Sequence, residues 1–232
     1  MSRCRMTKKP TTLRRDDVLS RDRIIEAAIE LLDQSGESGL TFRSLAERLA
    51  TGAGAIYWHV ANKSDLLTAA CDTLIARTVA QAVASASPQA QIRALALGMF
   101  DAMDAHPWVG AALMQAPGQL PSVRILESLG QPLCALGVPE NAQWPTASAL
   151  LHYILGVGGQ NAANAQMAQA NGLERARLLD SVANSWSQLN PAEFPFASRM
   201  AAALRTHDDQ ADFLAGVDLI LAGVMALRGV AT

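Results

Sequence analysis

Half of the 232 residues are apolar and 17% are charged, so the chain can bury a sizeable core without disulfide or metal staples, as one small and one larger module or as a single all-helical body. The three cysteines Cys4, Cys71 and Cys134 are few, far apart and form no CxxC pair, which excludes a disulfide framework and a cysteine zinc site and is expected of reduced thiols in a cytoplasmic protein. No unbroken apolar run approaches the roughly 18 residues of a membrane span, and the basic, polar stretch from Met1 to Arg15 lacks the apolar segment of a secretory signal, so no membrane partner is expected. The formal net charge is −2, yet Arg3, Arg5, Lys8, Lys9, Arg14 and Arg15 crowd ahead of the first predicted helix, while acids outnumber bases beyond Asp65. A basic tip on an acidic body is the footprint of a chain that meets a polyanion at one end only.

Residues 1–17 are expected to be a basic, flexible arm. From Ser20 to Gln34, Ile24, Ala27, Ala28, Leu31 and Leu32 recur at three- and four-residue spacing, predicting an amphipathic helix that Ser35-Gly36 ends. Thr41 can cap a short helix with Leu45, Ala46 and Leu49 on one face. A break of small residues follows, Ala50 to Gly54. A second short helix then carries Ile56 and Val60 inward and Tyr57, Trp58 and His59 partly outward. Asn62 followed by Asp65 marks a third start, for a helix from Lys63 to about Ser85 with Leu66, Leu67, Ala70, Leu74 and Val79 on its buried side. Two short helices held between longer neighbours and ending in an aromatic, polar and basic cluster form a helix-turn-helix, a unit that sets its second helix in the DNA major groove.

Beyond it the pattern stays helical. Gln91 to about Ala105 shows the stripe Leu95, Met99 and Met103, and His106-Pro107-Trp108 stops it and starts a short helix. Pro117 to Pro121 is a predicted loop, Ser122 to Leu136 a helix, and Gly137-Val138-Pro139 a turn. The longest predicted helix runs from Pro145 to about Asn171. A further helix covers Leu173 to Leu189, Asn190 to Pro195 is expected to be irregular, and Asp208 to Leu227 is the last helix, with Phe213, Val217, Ile220, Leu221 and Val224 as its apolar face. No segment alternates with period two long enough for a strand. The fold class is all-α, a helix-turn-helix domain over residues 18–65 and a larger helical domain over residues 66–232.

The stretch Leu19-Ser20-Arg21-Asp22-Arg23-Ile24-Ile25-Glu26-Ala27-Ala28-Ile29-Glu30-Leu31-Leu32, continued through Gly36, Gly39, Leu40 and Thr41 to about Ala70, resembles the N-terminal DNA-binding domain of the TetR family of bacterial transcriptional repressors. Its specific part is Ile56-Tyr57-Trp58-His59-Val60-Ala61-Asn62-Lys63, which looks like the tetracycline-repressor branch, where Tyr-Trp-His closes the recognition helix and a Lys follows. The tail from Phe213 to Gly223 is similar to the last helix of many TetR-type proteins. The resemblance implies that this helix pairs with an earlier long helix in a four-helix bundle across a two-fold axis, and that the larger domain holds a small-molecule pocket.

On these grounds Thr41, Arg43, Ala53, Ala55, Tyr57, Trp58, His59 and Lys63 are the candidate DNA-binding residues. Thr41 is an N-cap that could also touch phosphate, whereas the resemblance puts Arg43 beside the groove, where a guanidinium can reach a guanine edge bidentately. Tyr57 and His59 can hydrogen-bond phosphate oxygens, and Lys63 can do so with help from its helix N-terminus. The run Gly52-Ala53-Gly54-Ala55 departs from relatives that often carry a polar base-reading side chain there. Only its alanine methyls remain, to pack on thymine.

In the larger domain the adaptable Met99, Met103 and Met114, with Trp108, His152 and Trp186, are candidates for a ligand cavity. Core packing is the competing role for each. Asp101, Asp104 and Arg93 lie only at the edges of the apolar stripes, which favours an apolar or aromatic effector. Gly156, Gly159, Phe213, Val217, Ile220, Leu221 and Val224 are the candidate dimer interface. His59, His106, His152 and His207 lack metal-binding spacing, and no nucleophile elbow or phosphate loop is present, so no catalytic residue, metal or cofactor is expected. The chain is therefore expected to be a homodimeric DNA-binding regulator, a repressor released from a pseudo-palindromic operator by a small molecule. The Gly-Ala-rich recognition helix leaves a second reading open, a helical interaction or small-molecule-binding protein with a degenerate helix-turn-helix.

Overall fold

The computed structural model describes residues 19–115, 118–172 and 174–228. The basic arm lies outside them. Among the described residues there are eleven helices and no strand: α1 (Arg21–Gly39), α2 (Phe42–Arg48), α3 (Ala53–Tyr57), α4 (Lys63–Val83), α5 (Pro88–Ala105), α6 (Trp108–Gln115), α7 (Leu120–Ala135), α8 (Glu140–Ala170), α9 (Arg175–Ser187), α10 (Pro195–Leu204) and α11 (Asp209–Arg228). The chain is all-α.

Capping chemistry fixes several helix starts. The side chains of Ser20, Thr41, Asn62 and Ser87 each accept a hydrogen bond from the backbone N–H three residues on, satisfying a donor that the first helical turn leaves without a partner. Thr41 and Ser44 form a reciprocal capping box. The regular part of α1 breaks at Gly36, whose φ of 62° is in the left-handed region, so the expected stop at Ser35-Gly36 coincides with a kink before the last turn.

α1 to α3 and the start of α4 enclose a small core of Ile24, Ala28, Leu32, Leu40, Leu45, Ile56, Val60 and Leu66. α4 runs from there into the larger domain, packing on α5 and α7. By length and composition it is apolar enough to cross a bilayer, but Leu66, Ala70, Leu74 and Ile75 are buried in this core instead. Arg124 on α7 grips Asp72 on α4 through Nε and Nη2, at 2.9 and 3.0 Å, and that bond raises the guanidinium pKa further.

α5, α8 and α11 close the second core. Met99 and Met103 are completely buried there, and the Phe213 ring stacks between Phe100 and Tyr153. The Tyr153 hydroxyl donates to the Phe213 carbonyl at 3.1 Å, and burial, with the negative charge of Asp212, raises its pKa. Gly158 and Gly216 are among the close-approach glycines: a Cβ at Gly158 would strike Met103, and one at Gly216 would strike the Tyr153 phenol.

Two expectations need correction here. Phe213, Val217, Leu221 and Val224 are buried within the chain, because α11 packs its apolar face on α5 and α8 rather than presenting it to a second copy. Of the predicted set on α11 only Ile220 is partly exposed, whereas Leu219 is 75% exposed. Gly156 and Gly159 have open space where a side chain would be, and the Gly159 Cα lies 3.7 Å from where a Cβ on Gly110 would stand, so α6 and α8 approach closely there. The segment expected to be irregular gives way at Pro195 to α10, a helix the sequence pattern did not reveal. α9 and α10 pack mainly on one another.

Candidate nucleic-acid interface

The turn between α2 and α3 is a Schellman motif built on alanine. Ala50 sits in the left-handed region with φ 49°, its N–H directed at the Glu47 carbonyl at 3.3 Å, and the Thr51 N–H donates to the Ala46 carbonyl at 3.0 Å. Glycine usually fills that position because it has no Cβ to strain. The tight turn brings α3 back against α2, where the rings of Phe42 and Tyr57 stack with centroids 4.3 Å apart. Ile56 and Val60 anchor the segment inward as expected.

With those anchors inside, the other face points to solvent. Tyr57 is 56% exposed and Trp58 89%, values the fold itself does not call for. His59 is half-buried. Arg43 projects from α2 and pairs only with Glu47 one turn on, at 3.0 Å, an exposed ion pair that is easily exchanged for another anion. Gly52 and Gly54 have open space around them, Ala55 is half-buried and Ala53 packs against the core. α3 is five residues long and begins at Gly52 without a side-chain cap, so its order depends on Ile56 and on the Phe42–Tyr57 stack.

Thr41 and Lys63 have local partners. The Thr41 hydroxyl is committed to the capping box, which is its N-cap role. Lys63 donates from Nζ to the Glu37 carbonyl at 2.5 Å and lies 4.0 Å from its carboxylate, pinning the start of α4 to the end of α1. Arg48 on α2 reaches Glu30 and Gln34 on α1 at 2.7 and 3.0 Å, and Arg77 on α4 bonds Glu26. The scaffold behind the exposed face is thereby cross-braced.

The six ligand candidates are not brought together. Met99 and Met103 fill core space, Met114 and His152 face solvent, Trp186 lies on α9, and the Trp108 indole N–H donates to Asp33 at 2.8 Å. The described cavities lie elsewhere: one between α4, α6 and α7, a largely apolar groove by Val79, Val83 and Pro132, and an acidic cleft near His207. Asp33 itself, accepting from Trp108 and placed 2.8 Å from His106 Nδ1 through the same oxygen, was not legible as a joint between α1 and the α5–α6 corner. Its partners lie more than 70 residues away in the sequence.

Residues 24–70 match the family model of bacterial regulatory proteins of the tetR family, and residues 85–228 match that of the tetracyclin repressor-like C-terminal domain. A TetR transcriptional regulator from Streptomyces coelicolor is 49% identical and superposes with a TM-score of 0.83 over 90% of this chain and 99% of its own. An HTH-type transcriptional regulator of Saccharopolyspora erythraea is 27% identical over 91% of this chain and 87% of its own length. The class D tetracycline repressor protein of Escherichia coli is 46% identical over 59 residues, a quarter of this chain and 27% of that protein. The match to the class D repressor protein thus covers a quarter of this chain, whereas the likeness to the Streptomyces regulator spans nearly the whole of it. A helix-turn-helix with an outward aromatic and basic face, joined to a matching helical domain, places this chain in the TetR family of bacterial transcriptional regulators.

Proposed function

We propose that the chain works as a homodimeric repressor that is released from a pseudo-palindromic operator by a small molecule. The observation that carries this reading is the set Arg43, Tyr57 and Trp58, presented to solvent beside the half-buried His59 by a helix-turn-helix whose fold has no need of their exposure. In the proposal Arg43 reads a base edge, Tyr57, His59 and Lys63 hold phosphate, Trp58 packs along the backbone, and Ala53 and Ala55 allow close approach to thymine. Thr41 orders the helix that carries Arg43. No catalytic role is assigned.

Support comes from two relatives of the same fold. BioQ of Mycobacterium smegmatis, 26% identical with a TM-score of 0.67, belongs with a BioQ structure solved on its double-stranded DNA operator. ActR of Streptomyces coelicolor, 21% identical with a TM-score of 0.73, was solved with actinorhodin. For dimerisation the outward faces of α8 and α11 are suited by composition: Ala149, Gly156 and Gly159 on one, Ala215, Leu219, Ala222 and Gly223 on the other. Small residues let two helices from each copy approach closely, and two-fold pairing fixes half-sites about one helical turn apart or a multiple of it.

A mobility-shift titration on the DNA upstream of the gene, at two salt concentrations, tests the reading. Tight, salt-dependent binding that Trp58→Ala weakens is expected. Binding that is absent at low salt would instead favour a helical interaction protein with a degenerate helix-turn-helix. Sedimentation adds the dimer test, in which Leu219→Arg is expected to yield monomers and Val217→Arg to unfold the larger domain.

A further inference from the structure

Trp144, on the second turn of α8, is 69% exposed, and its indole has no hydrogen-bond or ring partner among the described residues. The turn before it is fixed by other groups: Leu136 and Val138 are buried, and the Gln143 amide donates to the Val138 carbonyl at 3.1 Å. Trp144 walls a cleft of about 360 Å³ on the outer surface of the larger domain, between α7 and the start of α8. Val123 and Leu126 from α7 and Ala147 from α8 supply its apolar lining. Glu127 on α7 and Glu140 on α8 add two exposed carboxylates.

Nothing of opposite sign balances them. No Lys, Arg or His lines the cleft, and Arg124, the one Lys or Arg on either helix, is turned away to Asp72 on α4. Gln131 steadies Glu127 by donating to Oε1 at 2.7 Å, while Glu140 has no hydrogen bond or ion pair among the described residues. Helix dipoles do not supply the missing positive charge either, because the negative end of α7 and the positive end of α8 meet at the Gly137 turn and offset one another.

Such a lining selects by charge. An anion is repelled by both carboxylates, and a neutral ring gains only the apolar contact. An organic cation gains the face of the Trp144 indole together with the two carboxylates, and its attraction to the ring grows as water leaves the cleft. A bare metal ion keeps its hydration, because it needs converging oxygen ligands and no group of three or more His, Cys, Asp or Glu comes together among the described residues. The volume is on the scale of small-molecule sites. We propose that this α7–α8 cleft binds a small organic cation, an ammonium or guanidinium group carried on an apolar body. Its occupancy is independent of operator binding, so the test needs no DNA and stands whether or not the regulator reading does.

Full-length protein labelled with fluorotryptophan gives a fluorine NMR resonance for Trp144, assigned by its loss in Trp144→Leu. The probes are benzyltrimethylammonium as the cation, benzyl alcohol as the neutral ring and benzoate as the anion, at matched ionic strength. The cation is expected to move the Trp144 resonance saturably with millimolar or tighter affinity, and the other two probes to bind at least tenfold more weakly. Glu127→Gln combined with Glu140→Gln should weaken the cation by about tenfold and change benzyl alcohol by less than twofold. Gly130→Met, which fills the cleft from a position with open space for a side chain, should abolish cation binding. A Trp144 resonance that stays put, equal affinity for benzyl alcohol, or unchanged cation affinity in the double variant would overturn the assignment. Should Gly130→Met lose its helical circular dichroism, the double variant, altered only at exposed positions, still decides.

Discussion

The segment from Ala53 to His59 and the core around Met103 use side chains in opposite ways. Met103 is completely buried, pressed against Gly158 and Gly110, so that neighbours on α5, α6 and α8 share its volume. Trp58, a far larger side chain, is 89% exposed and contributes little to the fold. Under the proposed function, stability is thus concentrated in residues that meet no partner, and recognition in residues the fold can spare. Substitutions in the two regions should therefore separate folding from DNA binding.

The largest expected effect breaks the core. Met103→Ala should cost about 2–5 kcal/mol in urea denaturation, from lost burial plus the void it leaves, with operator affinity of the folded protein unchanged. Trp58→Ala should stay within about 0.5 kcal/mol of the parent while weakening operator binding, and a comparable stability loss would erase the contrast. Next comes Arg43→Ala, which should relax preference at one base position per half-site by about 1–3 kcal/mol in competition binding, since its exposed pair with Glu47 stabilises little. A uniform loss across operator variants would make Arg43 a phosphate ligand.

Lys63→Ala probes the seam between the two behaviours, because Lys63 braces α1 and is proposed to hold phosphate from the first turn of α4. A phosphate role lowers the slope of log affinity against log salt by roughly one unit, whereas a lowered melting temperature with an unchanged slope assigns it to the fold alone. The smallest effects lie in the backbone of the reading head. Gly54→Ala, with open space for its Cβ, should stabilise by up to about 1 kcal/mol, and Ala50→Gly by a few tenths through relief of the left-handed strain, both visible in thermal melts.

Local chemistry was legible in the sequence because its cause is local. Thr41, Asn62 and Asp65 announce helix starts by themselves, and the inward pair Ile56 and Val60 forces Tyr57 and Trp58 outward. Periodicity on α11 revealed a buried face but not what buries it, so Phe213 and Val217 were assigned to a second copy when α5 and α8 cover them. Methionines at Met99 and Met103 suit a core gap and a ligand pocket equally, and only packing decides. α10 escaped notice because Pro195 was taken to end an irregular stretch, although proline is equally at home in the first turn of a helix. The polar positions Ser64 and Thr68 share one face of α4 at helical spacing, but their common cavity with Gln115 and Gln119 is a product of tertiary structure.

The placement of α11 also has a consequence during synthesis. Phe213, Val217, Leu221 and Val224 complete a core whose other walls, α5 and α8, leave the ribosome earlier. Until α11 arrives, Met99, Phe100 and Ile154 lack part of their cover, and the nascent larger domain exposes a sticky apolar trough. The small core of the reading head is drawn from α1 to α4 and can form as soon as α4 emerges, with the Asp33 joint to Trp108 and His106 added once α6 follows. A chain truncated before α11 would therefore carry a finished DNA-binding head on an aggregation-prone body, and chaperone demand should peak in the interval between α8 and α11.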